Sequence, residues 1–261
     1  MTPVIAAGFF GDVWTFLSDG AHWQGNDGIP HLTLQHLQLT AVSTVVAIAV
    51  ALPAGVALGH LRRGGALAVN LANVGRALPA LGLLILGVQW FGIGRPGGLL
   101  SPVHSIPAFV AMVALAIPPI VANAYVGVAS VDDDVREAAA GMGMSGRQVL
   151  GRVELPIALP LIMAGIRTAV VAVVATATLA AYVDGGGLGT LISVGFATQN
   201  DAQVFVGGLF VALLAVALEL GLGLLQRALV SQGLRVGGGQ TAREIEATLV
   251  KTPAPVAARQ G

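Results

Sequence analysis

The chain contains no cysteine in 261 residues. That absence excludes disulfides, thiolate metal sites and cysteine nucleophiles, and it leaves the redox compartment open. Charge is also scarce. Asp, Glu, Lys and Arg make up 10% of the residues, against about a quarter in a soluble domain. Such a chain cannot cover a water-facing surface. Its 13 basic and 13 acidic residues cancel, which argues against a nucleic-acid partner. The start lacks the basic n-region and small-residue cleavage site of a signal peptide. His22, His31, His36, His60 and His104 share no metal-like spacing, so neither a metal site nor a catalytic residue is named. The Gly-rich run GRPGGLLS lacks the lysine of a phosphate-binding loop, so no nucleotide chemistry is expected in this chain.

What is abundant is apolar. Hydrophobic residues reach 55% and mean hydropathy is +0.83, the composition of an all-α polytopic membrane protein. A span needs roughly 20 apolar residues, and five segments qualify: about Leu37–Leu58, Leu71–Val88, Ile106–Val128, Leu161–Tyr182 and Val204–Leu225. Pro53, Pro79, Pro118 and Pro119 lie inside these segments, where each bends or interrupts a helix. Arg62 and Arg63, then Arg136, Arg147 and Arg152, then Arg227, Arg235, Arg243, Lys251 and Arg259 share one side if the N-terminus is outside. The positive-inside rule makes that side cytoplasmic. Residues 1–35 form an external or interfacial segment, apolar from Val4 to Leu17 but broken at Gly11 and Asp12. Trp14, Phe16 and Trp23 there suit a membrane interface. Residues 228–261 are a Gly, Thr, Pro and Ala mixture that reads as a disordered cytoplasmic tail.

Between the third and fourth spans, residues 129–157 hold the longest polar interruption, SVDDDVREAAAGMGMSGRQVLGRVELP. It reads as two short helices. The first begins near Ser130, with Asp132, Asp133 and Asp134 complementing its dipole. Ala138, Ala139 and Ala140 favour helix and present a face that another surface can approach closely. Gly143 permits a backbone break. Ser145 and Gln148 have capping-box spacing for the second helix, which Leu155-Pro156 ends. An amphipathic pair lying on the membrane without a partner is the plainer alternative.

Glu137-Ala138-Ala139, Gly143 and Val153-x-Leu155-Pro156 have the spacing of the EAA coupling loop of bacterial type I ABC importer permeases. The chain resembles that family from about His36 to Leu225, and the resemblance implies an ABC type-1 transmembrane domain over residues 36–227. QHLQLTAVSTVVAIAVALPAGVALG, RALPALGLLILG, IPPIVANAYVGV and TLAAYVDGGGLGTLISVGFATQND resemble permeases for osmoprotectants such as glycine betaine, carnitine and choline. Arg76 and Ala122 depart from that pattern. Permeases for methionine or another small solute share parts of it. The resemblance further implies a subunit of an ATP-driven importer in the bacterial plasma membrane. Its partners would be a cytoplasmic ATPase dimer that binds ATP and Mg, a second permease copy or related permease, and an extracytoplasmic substrate-binding protein. Glu137, Ala138, Ala139, Gly143, Leu155 and Pro156 would then be the coupling residues.

Asn123 and Tyr125 are pathway candidates, one polar and one offering a π-face to a quaternary ammonium, though such residues also serve as bundle glue. Gly185, Gly186, Gly187 and Gly189 allow either a flexible outer loop or a tight turn lining a pore, and the resemblance favours an outer gate. Arg76, Arg167 and Glu219 lie inside spans, where snorkelling or an ion pair among them would satisfy them. A secondary transporter should carry more intramembrane carboxylates and an inverted repeat. An intramembrane enzyme should carry a nucleophile or metal cluster. The sequence offers neither.

Overall fold

A computed structural model describes residues 2–66, 70, 73, 75, 77, 79–92 and 105–230, with side chains from residue 8 onward. Helix α1 spans Thr2–Ser18 and runs through Gly11 and Asp12, the expected break. Asp19 then accepts the Ala21 N–H at 2.9 Å and opens a short 3-10 turn. Val13 and Phe16 of α1 are buried in a cluster with Ile29, Leu32, Leu188 and Val206, so the N-terminal segment packs on the bundle. Trp14 is 74% exposed.

Helix α2 covers Ile29–His60, starting well before Leu37. Gly28 is extended and Pro30 falls in the first turn, where a missing N–H costs nothing. Polar residues at this end lower its hydropathy, but they find partners. Gln35 Nε2 lies 2.9 Å from His31 Nε2, and His36 Nε2 lies 3.1 Å from the Val174 carbonyl. Pro53 sits inside α2 without ending it. Of the second expected span, Ala80–Phe91 is helix α3, while most of 71–78 lies outside the described residues. Pro79 is extended at φ −72°, ψ 110° and marks the start of α3, so this proline interrupts rather than bends.

Helix α4, Ile106–Ala129, matches the third expected span and contains Pro118 and Pro119. Two short helices follow, α5 at Asp133–Gly141 and α6 at Gly146–Val149. Helix α7 covers Leu155–Ala177 and continues as a 3-10 turn to Val183. Helices α8, Gly189–Ala197, and α9, Asp201–Leu229, complete the described residues. Helix α9 outlasts the expected end at Leu225 and the tail boundary at 228; residues 231–261 lie outside the described residues. Among the described residues, four helices are long and apolar enough to cross a membrane: α2, α4, Gly146–Val183 and α9. Every regular element among the described residues is helical.

Glycines set the central packing of α2, α4 and α7. A Cβ on Gly55 would lie 2.7 Å from the Val121 carbonyl oxygen and 2.8 Å from Ala124 Cβ; one on Gly59 would lie 2.8 Å from Val128 Cβ. These glycines, four residues apart, put one bare stripe of α2 against α4. Gly165 does the same for α7, where a Cβ would come within 2.6 Å of Asn123 Cβ. Lipid is as apolar as leucine, so helices hold together through such close van der Waals contact. In contrast α9 leaves Leu213, Val216, Leu220 and Leu224 exposed at 55–64%.

Candidate functional site

The polar interruption folds as a compact projection. Ser130 closes α4 rather than starting a new helix. Asp132 is the cap of α5, accepting the Asp134 N–H at 2.8 Å, and Asp133 and Asp134 occupy its first turn. At the other end Gly143 is left-handed at φ +84°. Met144 N–H donates to the Ala139 carbonyl at 3.2 Å and Gly143 N–H to the Ala140 carbonyl at 2.9 Å. This is the Schellman closure that a glycine favours. Ser145 N–H donates to Gln148 Oε1 at 2.8 Å, the reciprocal bond of the expected capping box.

Two further expectations are corrected. Leu155-Pro156 does not end the second helix. Residues Leu150–Glu154 form a π-helical stretch that runs directly into α7, with Pro156 in its first turn. Pro156 cannot donate to residue 152, and the wider π turn, in which Leu155 N–H reaches the Leu150 carbonyl, makes room for the ring. The alanine run is not one open face either. Glu137, Ala138 and Gly143 are exposed, whereas Ala139 is 2% exposed and faces into the protein. Helical periodicity explains this, since adjacent residues of α5 point about 100° apart. Leu155 is half-buried and Pro156 exposed.

The projection is tied to the end of α2. Arg62, left-handed at φ +50°, donates through Nη1 to Asp133 Oδ2 at 2.6 Å and through Nη2 to the Val131 carbonyl at 2.8 Å. Beneath lies Glu154, fully buried. Its Oε2 is 2.7 Å from His60 Nδ1. Its Oε1 is 3.0 Å from Arg136 Nη2, an ion contact lying outside hydrogen-bond geometry. The same Arg136 nitrogen donates to the His60 carbonyl at 3.0 Å. Glu154 was not singled out from the sequence, although a carboxylate one residue before an apolar span was a visible signal.

Farther into the bundle, Asn123 lines a cavity of about 430 Å³ between α3, α4 and α7, together with Pro118, Ala122, Thr168 and Thr176. Asn123 Nδ2 donates to the Pro119 carbonyl at 2.8 Å. Tyr125, two residues on, faces elsewhere: its hydroxyl lies against Gly65. The sequence paired them, but the helix separates them. Arg167 Nε donates to Glu219 Oε1 at 3.1 Å and Arg167 Nη1 to Gln226 Oε1 at 2.9 Å, joining α7 to α9. Arg76 lies outside the described residues.

At the opposite end of the bundle the glycine run is a packed turn. Gly186 and Gly187 have φ of +65° and +77°, and Gly187 N–H donates to Gln35 Oε1 at 3.0 Å. Gly185 and Gly187 are buried, and a Cβ on Gly187 would lie 3.1 Å from His36 Nδ1. Of the two open readings, this geometry is the tight turn.

Three kinds of comparison bear on this arrangement. A family model described as binding-protein-dependent transport system inner membrane component matches residues 47–232. The glycine betaine/carnitine/choline transport system permease protein OpuCB of Bacillus subtilis is 32% identical over 213 residues, covering 81% of this chain and 94% of that protein. The osmoprotectant import permease protein OsmW of Salmonella typhimurium is 35% identical over 205 residues, covering 78% of this chain and 93% of that protein. Among solved structures, a chain of the MetNI methionine ABC transporter in an inward-facing conformation superposes with a TM-score of 0.61 at 20% identity. It covers 88% of this chain and all of that one, a likeness of fold.

Proposed function

The chain belongs to the binding-protein-dependent transport system inner membrane components, and from that premise we propose how this permease couples and what it carries. It is a multi-pass protein of the bacterial plasma membrane and the permease subunit of an ABC importer. Residues 129–157 are its coupling loop. The observation carrying this is the shape of the loop: two capped helices meeting at a left-handed Gly143, exposed at Glu137 and Ala138 and bolted beneath to His60 of α2. A rigid exposed projection can receive a push from a partner. A surface helix pair without a partner would need neither the closure nor the bolt.

The partner is a cytoplasmic ATPase dimer that binds ATP and Mg, so this chain carries no cofactor of its own. Assembly with a second permease and an external binding protein completes the importer, with the N-terminus outside. The pathway runs past Asn123 and the cavity formed with Thr168 and Thr176, whose described lining carries no charge. Gly185–Gly187 form the turn at its outer mouth. A pathway lined by hydroxyls, an amide and prolines suits a small zwitterion or a quaternary ammonium solute better than a strongly charged one. Similarity to osmoprotectant permeases supports glycine betaine, choline or carnitine as the cargo.

The test is uptake by vesicles holding the permease with its ATPase and binding protein. Labelled glycine betaine, choline, carnitine and methionine are compared. ATP-dependent accumulation of a quaternary ammonium solute is expected. Accumulation of methionine alone would overturn the cargo while leaving the importer intact. Gly143→Val places a β-branched residue in a left-handed backbone position, at a cost of at least about 1–2 kcal/mol. It should abolish uptake in a chain that still inserts. Normal uptake and normal solute-stimulated ATPase activity in that variant would remove the coupling assignment.

A further inference from the structure

Glu154 is shared by three structural pieces that the sequence keeps apart. It belongs by backbone to the π stretch leading into α7, it meets His60 at the end of α2, and it meets Arg136 on α5. A carboxylate with no solvent exposure is expensive to bury unless opposite charge and donors compensate it. Among the described residues the compensation comes from other elements. Moving α5 or the end of α2 away from α7 would therefore strand a buried charge. A π turn at this position also has a use beyond accommodating Pro156: it adds a residue to the turn and so changes the direction in which the side chain points.

We propose that Glu154 is a positioning residue for coupling, the pin that makes the coupling loop, the inner end of α2 and the start of α7 move as one body. The proposal rests on the coupling-loop reading and deepens it. A loop fixed only through its flanking helices would transmit a push to α4 and α7, which it joins covalently. The Glu154 contacts, beside the Arg136 donation to the His60 carbonyl, tie the loop directly to α2, which otherwise meets it through its packing on α4. Arg62 with Asp133, both partly solvent-exposed, reinforces the same seam but is worth less, since exposed ion pairs contribute little. The buried member of the seam is the one on which coupling depends.

The experiment uses Glu154→Gln, which preserves size and removes charge, and Arg136→Gln beside it. Both are placed in the assembled importer, with Gly143→Val as the control for the loop itself. Arg62→Cys with Asp133→Cys, in a chain that has no other cysteine, supplies a crosslinking probe of the seam by a short thiol crosslinker. With Glu154 intact, the probe should crosslink equally with and without nucleotide. Glu154→Gln should make crosslinking depend on nucleotide and lower solute taken up per ATP hydrolysed by roughly tenfold. The ATPase should still co-purify. A mere folding defect would remove insertion and co-purification together, and Arg136→Gln, which leaves the Glu154–His60 contact, then supplies the same readings. Unchanged uptake per ATP and nucleotide-independent crosslinking in both variants would overturn the pin. If Gly143→Val also transports normally, the coupling-loop reading has failed. If only Gly143→Val loses transport, the loop couples without the pin.

Discussion

Adding one methyl group at Gly55 should weaken the bundle, whereas the same methyl at Gly221 should not. At Gly55 the new Cβ would sit 2.7 Å from a backbone oxygen of α4 and 2.8 Å from Ala124 Cβ. Neither neighbour is the far end of a flexible side chain, so α2 and α4 must separate. Overpacking of this kind costs about 1–3 kcal/mol. Alanine returns about 0.5–1 kcal/mol through its better helix propensity. The net expectation for Gly55→Ala is a loss of about 1–2 kcal/mol. A Cβ on Gly221, inside α9, meets nothing within 4 Å, so Gly221→Ala should keep the propensity gain and stabilise by about 0.5–1 kcal/mol. The two variants thus differ by roughly 2 kcal/mol, about thirtyfold in the folded-to-unfolded ratio. The absence of cysteine makes the assay direct. Ala116→Cys places a thiol at a position with 0% exposure, which reacts only on opening. Thiol labelling across a denaturing detergent titration then reports stability for each variant. Equal midpoints for Gly55→Ala and Gly221→Ala would refute close packing of α2 on α4.

Two further outcomes are expected. For topology, a cysteine at exposed Thr198 should react with an impermeant thiol reagent from outside and one at exposed Gly146 only after permeabilisation; the reverse pattern overturns the N-outside orientation. Gly187 is unsuitable for this purpose because it is buried and left-handed. For the ion pair joining α7 to α9, Arg167→Met or Glu219→Met alone should lower thermal stability more than both together, because each single change strands the other charge; additive losses would show that the two residues act independently.

The spans were legible because hydropathy and length are strong signals in lipid. Ile106–Ala129 fell within a residue of its expected place. Helix α2 was read short because His31, Gln35 and His36 lower hydropathy, and Gly187 and Val174, the partners of Gln35 and His36, are far away in sequence. The break at Gly143 and the capping box of Ser145 and Gln148 were readable, since caps are local, whereas the first helix was expected near Ser130 and instead starts after the Asp132 cap. Pro156 misled because a proline just inside a helix and a proline ending one look alike without the π turn. Ala139 misled for a different reason: composition shows that a face is small, but not which way it points. Gly55 and Gly59 pass unremarked in a chain with 36 glycines, and only the contact with α4 singles them out. Glu154 depended on three elements converging, which no local pattern encodes.

The length of α2 makes it a lever. Its 32 residues measure roughly 48 Å at 1.5 Å per residue, so a tilt of about 5° about one end would displace the other by roughly 4 Å. One end holds the Glu154 contact through His60, and the other touches Gly187 through Gln35 and Val174 through His36. Gln35 lies about 38 Å from the His60 end at that rise, so a tilt of α2 relative to α7 by about 5° about their joined inner ends would carry Gln35 roughly 3 Å, enough to break its bond to Gly187. The two faces need no chain of signalling residues between them. Helix geometry alone ties the fit of Gln35 and His36 against Gly187 and Val174 to the angle set at His60.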